Sequence, residues 1–145
     1  MVRTHVVTAP DLENPKCLEI QLFSPLFQQL VEIRFFLDQP WEQGISHRQL
    51  KLLDDFLALK TGLEQIKQSL YDHWYNNSDY WCVEVPIETP EDAFRLASLS
   101  GLLIAGKNFG WDDNASQLRY SVPWDPEHGA GVFIRDGQVA EFGDI

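Results

Sequence analysis

The chain has 145 residues, of which 44% are hydrophobic and 23% are charged, so it is long enough and apolar enough to form one globular domain. Its formal net charge is -11, and the excess is concentrated in residues 71–145, which contain 13 acidic and 4 basic side chains. This excess of acids disfavours binding to nucleic acids and favours a basic protein as the partner.

The first sixteen residues predict a loose N-terminal arm, because Pro10, Asn14 and Pro15 interrupt any regular pattern. The arm contains no long apolar run of the kind found in signal peptides. No segment of the chain reaches the roughly 18 consecutive apolar residues of a membrane span. We therefore expect a single domain over residues 1–145 that is cytoplasmic and does not enter a membrane.

Two strands separated by a turn are expected after the arm. The segment CLEIQLF (17–23) predicts the first strand, and SPLFQQ (24–29) contains a proline turn signal. In LVEIRFFLD (30–38), apolar residues at positions 31, 33 and 35 alternate with charged ones, which is the pattern of a half-buried antiparallel strand.

Two amphipathic helices are predicted next. Ser46 and Gln49 form a capping-box pattern at the start of the first helix, and a break is expected near residues 60–62. The dipeptide Asn76-Asn77 predicts the end of the second helix. The apolar residues expected to be buried against the sheet are Leu50, Leu53, Leu57, Leu63, Ile66 and Leu70.

The remaining elements are a third helix and a group of strands. Thr89 followed by Pro90 predicts a helix that runs to about Ser98 or Leu99. Strands are expected at residues 102–109, at 117–122 and on both sides of Asp136-Gly137, a strong hairpin signal. The order predicts an α+β fold, in which a mostly antiparallel sheet combines an N-terminal strand or hairpin with a C-terminal meander of three to four strands, and the helices pack on one face.

The segments PLFQQLVEIRFFLD and YSVPWDPEHGAGVFIRDGQVAEFGD, with the helical pair between them, resemble a family of small, mostly bacterial α/β domains of unknown function. The most specific part is W-D-P-E-H-G (124–129), which resembles a C-terminal W-D-x-E-H-G turn that precedes a final hairpin in that family. The likeness spans roughly residues 20–143; it implies an α/β fold and implies no activity. In size and acidity, such domains also resemble the immunity proteins that neutralise bacterial toxins.

The W-D-P-E-H-G stretch has two interpretations. Asp125, Glu127 and His128 are candidate catalytic residues for acid–base or metal-assisted hydrolysis, with Asp112 and Asp113 as candidate metal ligands. Alternatively, the stretch is a structural turn in which an aspartate accepts backbone hydrogen bonds and glycines allow unusual backbone angles. Chemistry requires at least three of these side chains to converge, whereas splayed or hydrogen-bonded side chains favour the structural interpretation.

Surplus aromatic residues suggest a surface for a protein partner, because Tyr and Trp concentrate in protein interfaces. No cofactor is expected, since the sequence contains no nucleotide-binding glycine motif and no zinc-ligand spacing. The preferred hypothesis is a non-enzymatic protein-binding domain, of which an immunity-like antagonist of a basic toxin is the sharpest version. The alternative is the hydrolase. The candidate partner-binding residues are Tyr75, Tyr80, Trp81, Trp111 and Trp124.

Overall fold

A computed structural model describes residues 17–76, 86–107 and 113–140, together with the backbone of residues 5–7. These residues form seven strands and three α-helices, and none of the described helices has the length and apolar character needed to cross a membrane. The elements are β1 (His5–Val7), β2 (Cys17–Ser24), β3 (Gln29–Phe36), α1 (His47–Ala58), α2 (Leu63–Asn76), α3 (Pro90–Leu96), β4 (Ser98–Ile104), β5 (Ala115–Val122), β6 (Asp125–Arg135) and β7 (Gln138–Val139).

The strands form one sheet in sequence order, from β1 to β7. All neighbours are antiparallel except β3 and β4, which are parallel and are joined by the segment that contains the three helices. A parallel pair needs a long crossover, and the helices supply it. The prediction of an α+β fold with a mostly antiparallel sheet is therefore confirmed.

The hairpin at Asp136-Gly137 is also confirmed. Asp136 has φ 53° and Gly137 has φ 75°, so both central residues of this two-residue turn occupy the left-handed region. Such a turn matches the right-handed twist of the flanking strands, which is why Asp-Gly favours it. The turn joins β6 to β7, and β6 pairs on its other side with β5.

Several predicted boundaries were wrong. Strand β1 lies within the segment predicted to be a loose arm, and it pairs with β2. Helix α3 has the predicted Thr89 cap but ends at Leu96, because Ser98 and Leu99 pair with β5 and extend β4 towards its N-terminus. Strand β4 also ends at Ile104, five residues before the predicted end. Long-range pairing has overridden local helix signals here.

The core lies between the sheet and the helices. Alternate residues of β3, namely Val31, Ile33 and Phe35, are buried as predicted, and they share one apolar cluster with residues of α1 and α2. Two residues depart from the predicted helical stripe: Leu50 is 41% exposed, and Leu63 is only partly buried. The stripe of α1 is centred instead on Leu52, Leu53, Phe56 and Leu57. That the helices all cover one face of the sheet stays a prediction.

A buried polar network joins the first turn of α1 to the ends of the two parallel strands. Asp38, just after β3, accepts bonds from Arg48 at 3.1 and 2.9 Å and from the Ser46 hydroxyl at 2.6 Å. Arg48 also donates to the carbonyl oxygen of Ala105, just after β4, at 2.6 Å. Gln49 is fully buried and donates to the carbonyl oxygen of Phe36 at 2.8 Å. Ser46 caps α1 as predicted, whereas the Gln49 side chain forms hydrogen bonds with the backbone at the end of β3.

Burial alone would raise the pKa of the Asp38 carboxyl group. Hydrogen bonds from Arg48, Ser46 and the backbone N–H of Lys107 outweigh that effect and hold the pKa below its ordinary value of 3.8. The ionised carboxylate therefore stabilises the folded state above that ordinary pKa. The stabilisation is lost as the pH falls through the lower pKa of the folded state.

The helical stripe predicts a contrast within α1. Leu53→Ala removes a side chain that is 7% exposed and should lower the free energy of unfolding by about 2–5 kcal/mol. Ile66→Ala in α2 should do the same, because Ile66 is fully buried. Leu50→Ala is the matched control and should cost little, since that side chain faces solvent. Equal losses for Leu50→Ala and Leu53→Ala in urea unfolding would contradict this assignment of the buried face.

The polar network predicts a pH dependence. Asp38→Asn leaves Arg48 without its carboxylate and should cost about 3–5 kcal/mol at neutral pH. The gap between wild type and variant should shrink below about pH 4, where protonation removes the same charge from the wild type. Asp55→Asn in the exposed Lys51–Asp55 pair of α1 is the control and should cost at most about 1 kcal/mol. Urea unfolding at several pH values measures both, and a pH-independent gap would contradict the prediction.

Candidate functional site

The W-D-P-E-H-G stretch begins in a tight hairpin turn and continues as a bulge. Val122 pairs with Asp125, so the two-residue turn is Pro123-Trp124. Regular pairing resumes at Tyr120 and Ala130, with the register shifted between the two points. Residues 126–129 therefore stand opposite the single residue 121 of β5. The sequence predicted a structural turn within W-D-P-E-H-G; the two-residue turn lies at the start of this stretch, and Pro126 is part of the bulge.

Asp125 and His128 meet within this bulge. The Asp125 carboxylate accepts the backbone N–H of His128 at 3.2 Å, and its Oδ1 lies 3.1 Å from the His128 ring Nδ1. Only 14% of the Asp125 side chain is exposed, against 79% for His128. Glu127 is exposed and does not join them. The structure thus brings together two of the three candidate catalytic residues.

Only one of the two candidate metal ligands, Asp113, lies within the described residues. Asp112 lies outside the described residues, and the backbone carbonyl of Asp113 accepts a bond from Arg48 at 2.7 Å, within the buried polar network. Across residues 17–76, 86–107 and 113–140, no three His, Cys, Asp or Glu side chains are grouped so that they could hold a metal ion.

Gly129, the last residue of the bulge, has a left-handed backbone conformation that is strained for residues other than glycine. Its φ is +70°, and a Cβ at this position would overlap the carbonyl oxygen of Tyr120. The backbone of the bulge therefore lies directly against β5. This close approach holds the exposed His128 and Glu127 at the edge of the outer sheet surface.

Trp124 is buried, with 2% of its surface exposed. Its indole N–H donates to His73 Nδ1 of α2 at 3.0 Å, so this ring nitrogen is the acceptor and carries no proton. Burial lowers the pKa of His73, and the negative charge of Asp125 offsets part of that effect. The prediction that Trp124 contacts a partner is corrected: the ring packs in the core and ties the hairpin to α2. Sequence patterns gave His73 no role.

The other aromatic candidates divide into two groups. Tyr75, at the end of α2, is 62% exposed and stacks on Tyr71 with 6.0 Å between ring centroids. Its predicted role as a partner contact stays a prediction. Tyr80, Trp81 and Trp111 lie outside the described residues.

A groove of about 540 Å³ lies on the sheet face turned away from the core. We call it the β3–β6 groove, because its lining comes from these four strands and includes the bulge. Gly101 of β4 pairs with Arg119, and a Cβ at Gly101 would lie 2.6 Å from the backbone carbonyl oxygen of Glu32, so β4 lies directly against β3 at this point. The polar side chains of the lining are Glu32, Arg34, Ser100, Arg119, Ser121, Glu127 and His128.

Arg119 is held in the groove by neutral acceptors. One guanidinium nitrogen donates to Gln117 Oε1 at 2.8 Å and another to the backbone carbonyl of His128 at 3.2 Å. Arg34, by contrast, pairs with Glu19. Within the part of the chain that the structure describes, Arg119 has no carboxylate partner. Arg119 lies between the apolar residues Leu118 and Tyr120 in the sequence, and this alternation is typical of a residue on the outer face of a sheet. Nothing in the sequence indicated the groove.

The bulge predicts a difference between two glycines. Gly129→Ala and Gly137→Ala both place alanine in the left-handed region, which costs about 1–2 kcal/mol. Gly129→Ala should cost roughly 1–3 kcal/mol more, because its Cβ meets the Tyr120 carbonyl oxygen, whereas the space at Gly137 is open. Chemical denaturation of both variants measures the difference. Equal costs would show that the bulge does not press against β5.

Comparison with known proteins gives a family and no activity. No curated protein and no solved structure shows a significant match to the chain. Residues 11–145 match a family described as a domain of unknown function, DUF6985. The predicted resemblance to a family of unknown function agrees with this match, while its mostly bacterial membership and its shared motif stay predictions. Because the match covers nearly all of the sequence, the chain belongs to the DUF6985 family.

Proposed function

We propose that this chain is a non-enzymatic, cytoplasmic binding domain that holds a segment of another protein in the β3–β6 groove. The observation that carries the proposal is the groove itself, a concave space with a volume of about 540 Å³ on the outer sheet face. Ligand sites commonly have volumes of roughly 300–1,000 Å³. The walls combine hydrogen-bonding groups with the half-buried side chains of Phe36 and Leu103, as recognition surfaces do.

The charge of the chain supports a basic protein as the partner. A net charge of -11 produces a long-range field that accelerates the approach of a positively charged protein. An immunity-like antagonist of a basic toxin is the sharpest version of this proposal. In this arrangement the helices all pack on the core face of the sheet, so the groove face stays open to the partner.

The alternative function is acid–base hydrolysis, and one contact favours it. Asp125 orients the exposed imidazole of His128 at the groove wall, as a carboxylate orients a catalytic base. Against it, the described residues place no third catalytic group beside this pair. If the alternative holds with a metal, Zn²⁺ or Mn²⁺ should raise the melting temperature of the wild type but not of Asp125→Ala or His128→Ala. We expect no such mutant-sensitive shift in thermal melts.

A peptide selection tests the binding function. A displayed library of random nine-residue peptides is selected on the purified full chain, and individual binders are then measured against two variants. Ser100→Trp places an indole in the groove at an exposed strand position. Gln138→Trp is the matched control, because Gln138 is also exposed in a strand but does not line the groove.

We expect binders that lose at least about tenfold in affinity on Ser100→Trp and keep their affinity on Gln138→Trp, which corresponds to at least roughly 1.4 kcal/mol. Thermal melts should show both variants folded. A selection that yields no binders, or only binders that Ser100→Trp leaves unaffected, would remove the groove as the binding site.

A further inference from the structure

From the contacts of Arg119 we infer that the β3–β6 groove recognises a carboxylate side chain, Asp or Glu, on an extended peptide segment of the partner protein. This inference rests on the proposed binding function and names the chemistry of the bound segment. It also separates two roles of charge. The net charge of the whole chain acts at long range on the partner, whereas Arg119 acts on one group within the groove.

The first argument is the state of the Arg119 guanidinium. An arginine carries five N–H donors in a planar fork. Its described bonds go to Gln117 Oε1 and the His128 carbonyl oxygen, both neutral, so its charge is oriented but not compensated. A carboxylate can accept two parallel N–H bonds from such a fork. The groove therefore presents a prearranged cationic donor to the carboxylate of a bound segment.

The second argument concerns the kind of anion. Glu32 and Glu127 also line the groove, and the Glu32 carboxylate lies 4.0 Å from Arg34, which is already paired with Glu19. A phosphate group carries close to two negative charges at neutral pH and would be repelled by these carboxylates. A carboxylate carries one charge and suits a groove with a single uncompensated arginine. The same chemistry argues against a nucleic-acid backbone.

The third argument concerns shape. The lining spans four adjacent strands, and neighbouring strands lie about 4.8 Å apart, so the groove extends roughly 14 Å across the sheet. An extended peptide of four to five residues, at about 3.3 Å per residue, has that length. Arg119 is exposed and lines the groove beside its register partner Gly101, so a side chain of the bound segment can reach the guanidinium.

The experiment is a double-mutant cycle on groove binders from the peptide selection. Each acidic residue of a binder is replaced by its amide, Asp by Asn or Glu by Gln. Affinity is then measured on the wild type and on Arg119→Gln, Arg119→Lys and Arg95→Gln. Arg95 is an exposed arginine of α3 outside the groove and serves as the matched control. Thermal melts confirm that each variant is folded.

We expect one acidic position whose replacement weakens binding to the wild type by about tenfold or more. The same replacement should have almost no effect on Arg119→Gln. Arg119→Lys should give an intermediate affinity, because lysine keeps the charge but loses the fork, and Arg95→Gln should match the wild type. A phosphoserine at the acidic position should bind more weakly than glutamate.

Two outcomes would overturn the inference and leave the binding function standing. One is a set of groove binders without acidic residues; the other is an acidic residue whose replacement weakens binding equally on the wild type and on Arg119→Gln. Tighter binding of the phosphoserine peptide would replace the carboxylate by a phosphate as the ligand. A selection without binders that Ser100→Trp disrupts would overturn both proposals together.

Discussion

The fold depends on the buried ion pair between Asp38 and Arg48. Asp38 follows β3, and Arg48 in the first turn of α1 reaches the backbone that follows β4. The pair therefore clamps the carboxyl ends of β3 and β4, the one parallel pair among the described strands of the sheet. The hairpin of β2 and β3 lies on one side of the β3–β4 junction, and the meander from β4 to β7 lies on the other. The groove includes residues from both sides, so its shape depends on the same clamp.

Local patterns predicted much of the fold because they reflect local physics. Alternation identified β3, and Asp136-Gly137 identified the last hairpin, since only certain residues tolerate two successive positive φ angles. The errors arise where distant parts of the chain compete. The residues before Ser98 favour a helix, but Ser98 itself pairs with β5 and therefore belongs to strand β4. Leu50 continues the helical spacing of Leu53, yet it is 41% exposed in the structure.

The candidate site was predictable only in part, for the same reason. W-D-P-E-H-G carries its own turn chemistry, so a structural role for Asp125 could be expected from neighbouring residues alone. The groove has no such local signature. Glu32, Gly101 and Arg119 are far apart in sequence and become neighbours only through the register of three strands. Trp124 shows the opposite difficulty, because a tryptophan in a hairpin turn suggests exposure until α2 is seen to cover it.

The bulge at residues 126–129 has an evolutionary consequence. Pairing is fixed on both sides of it, by Val122 with Asp125 and by Tyr120 with Ala130. A residue inserted or deleted between these anchors changes one wall of the groove without moving any side chain of β5 or β6 to the opposite face of the sheet. Related chains can therefore diverge in what they recognise through the length and composition of this short segment, while the sheet that carries it stays the same.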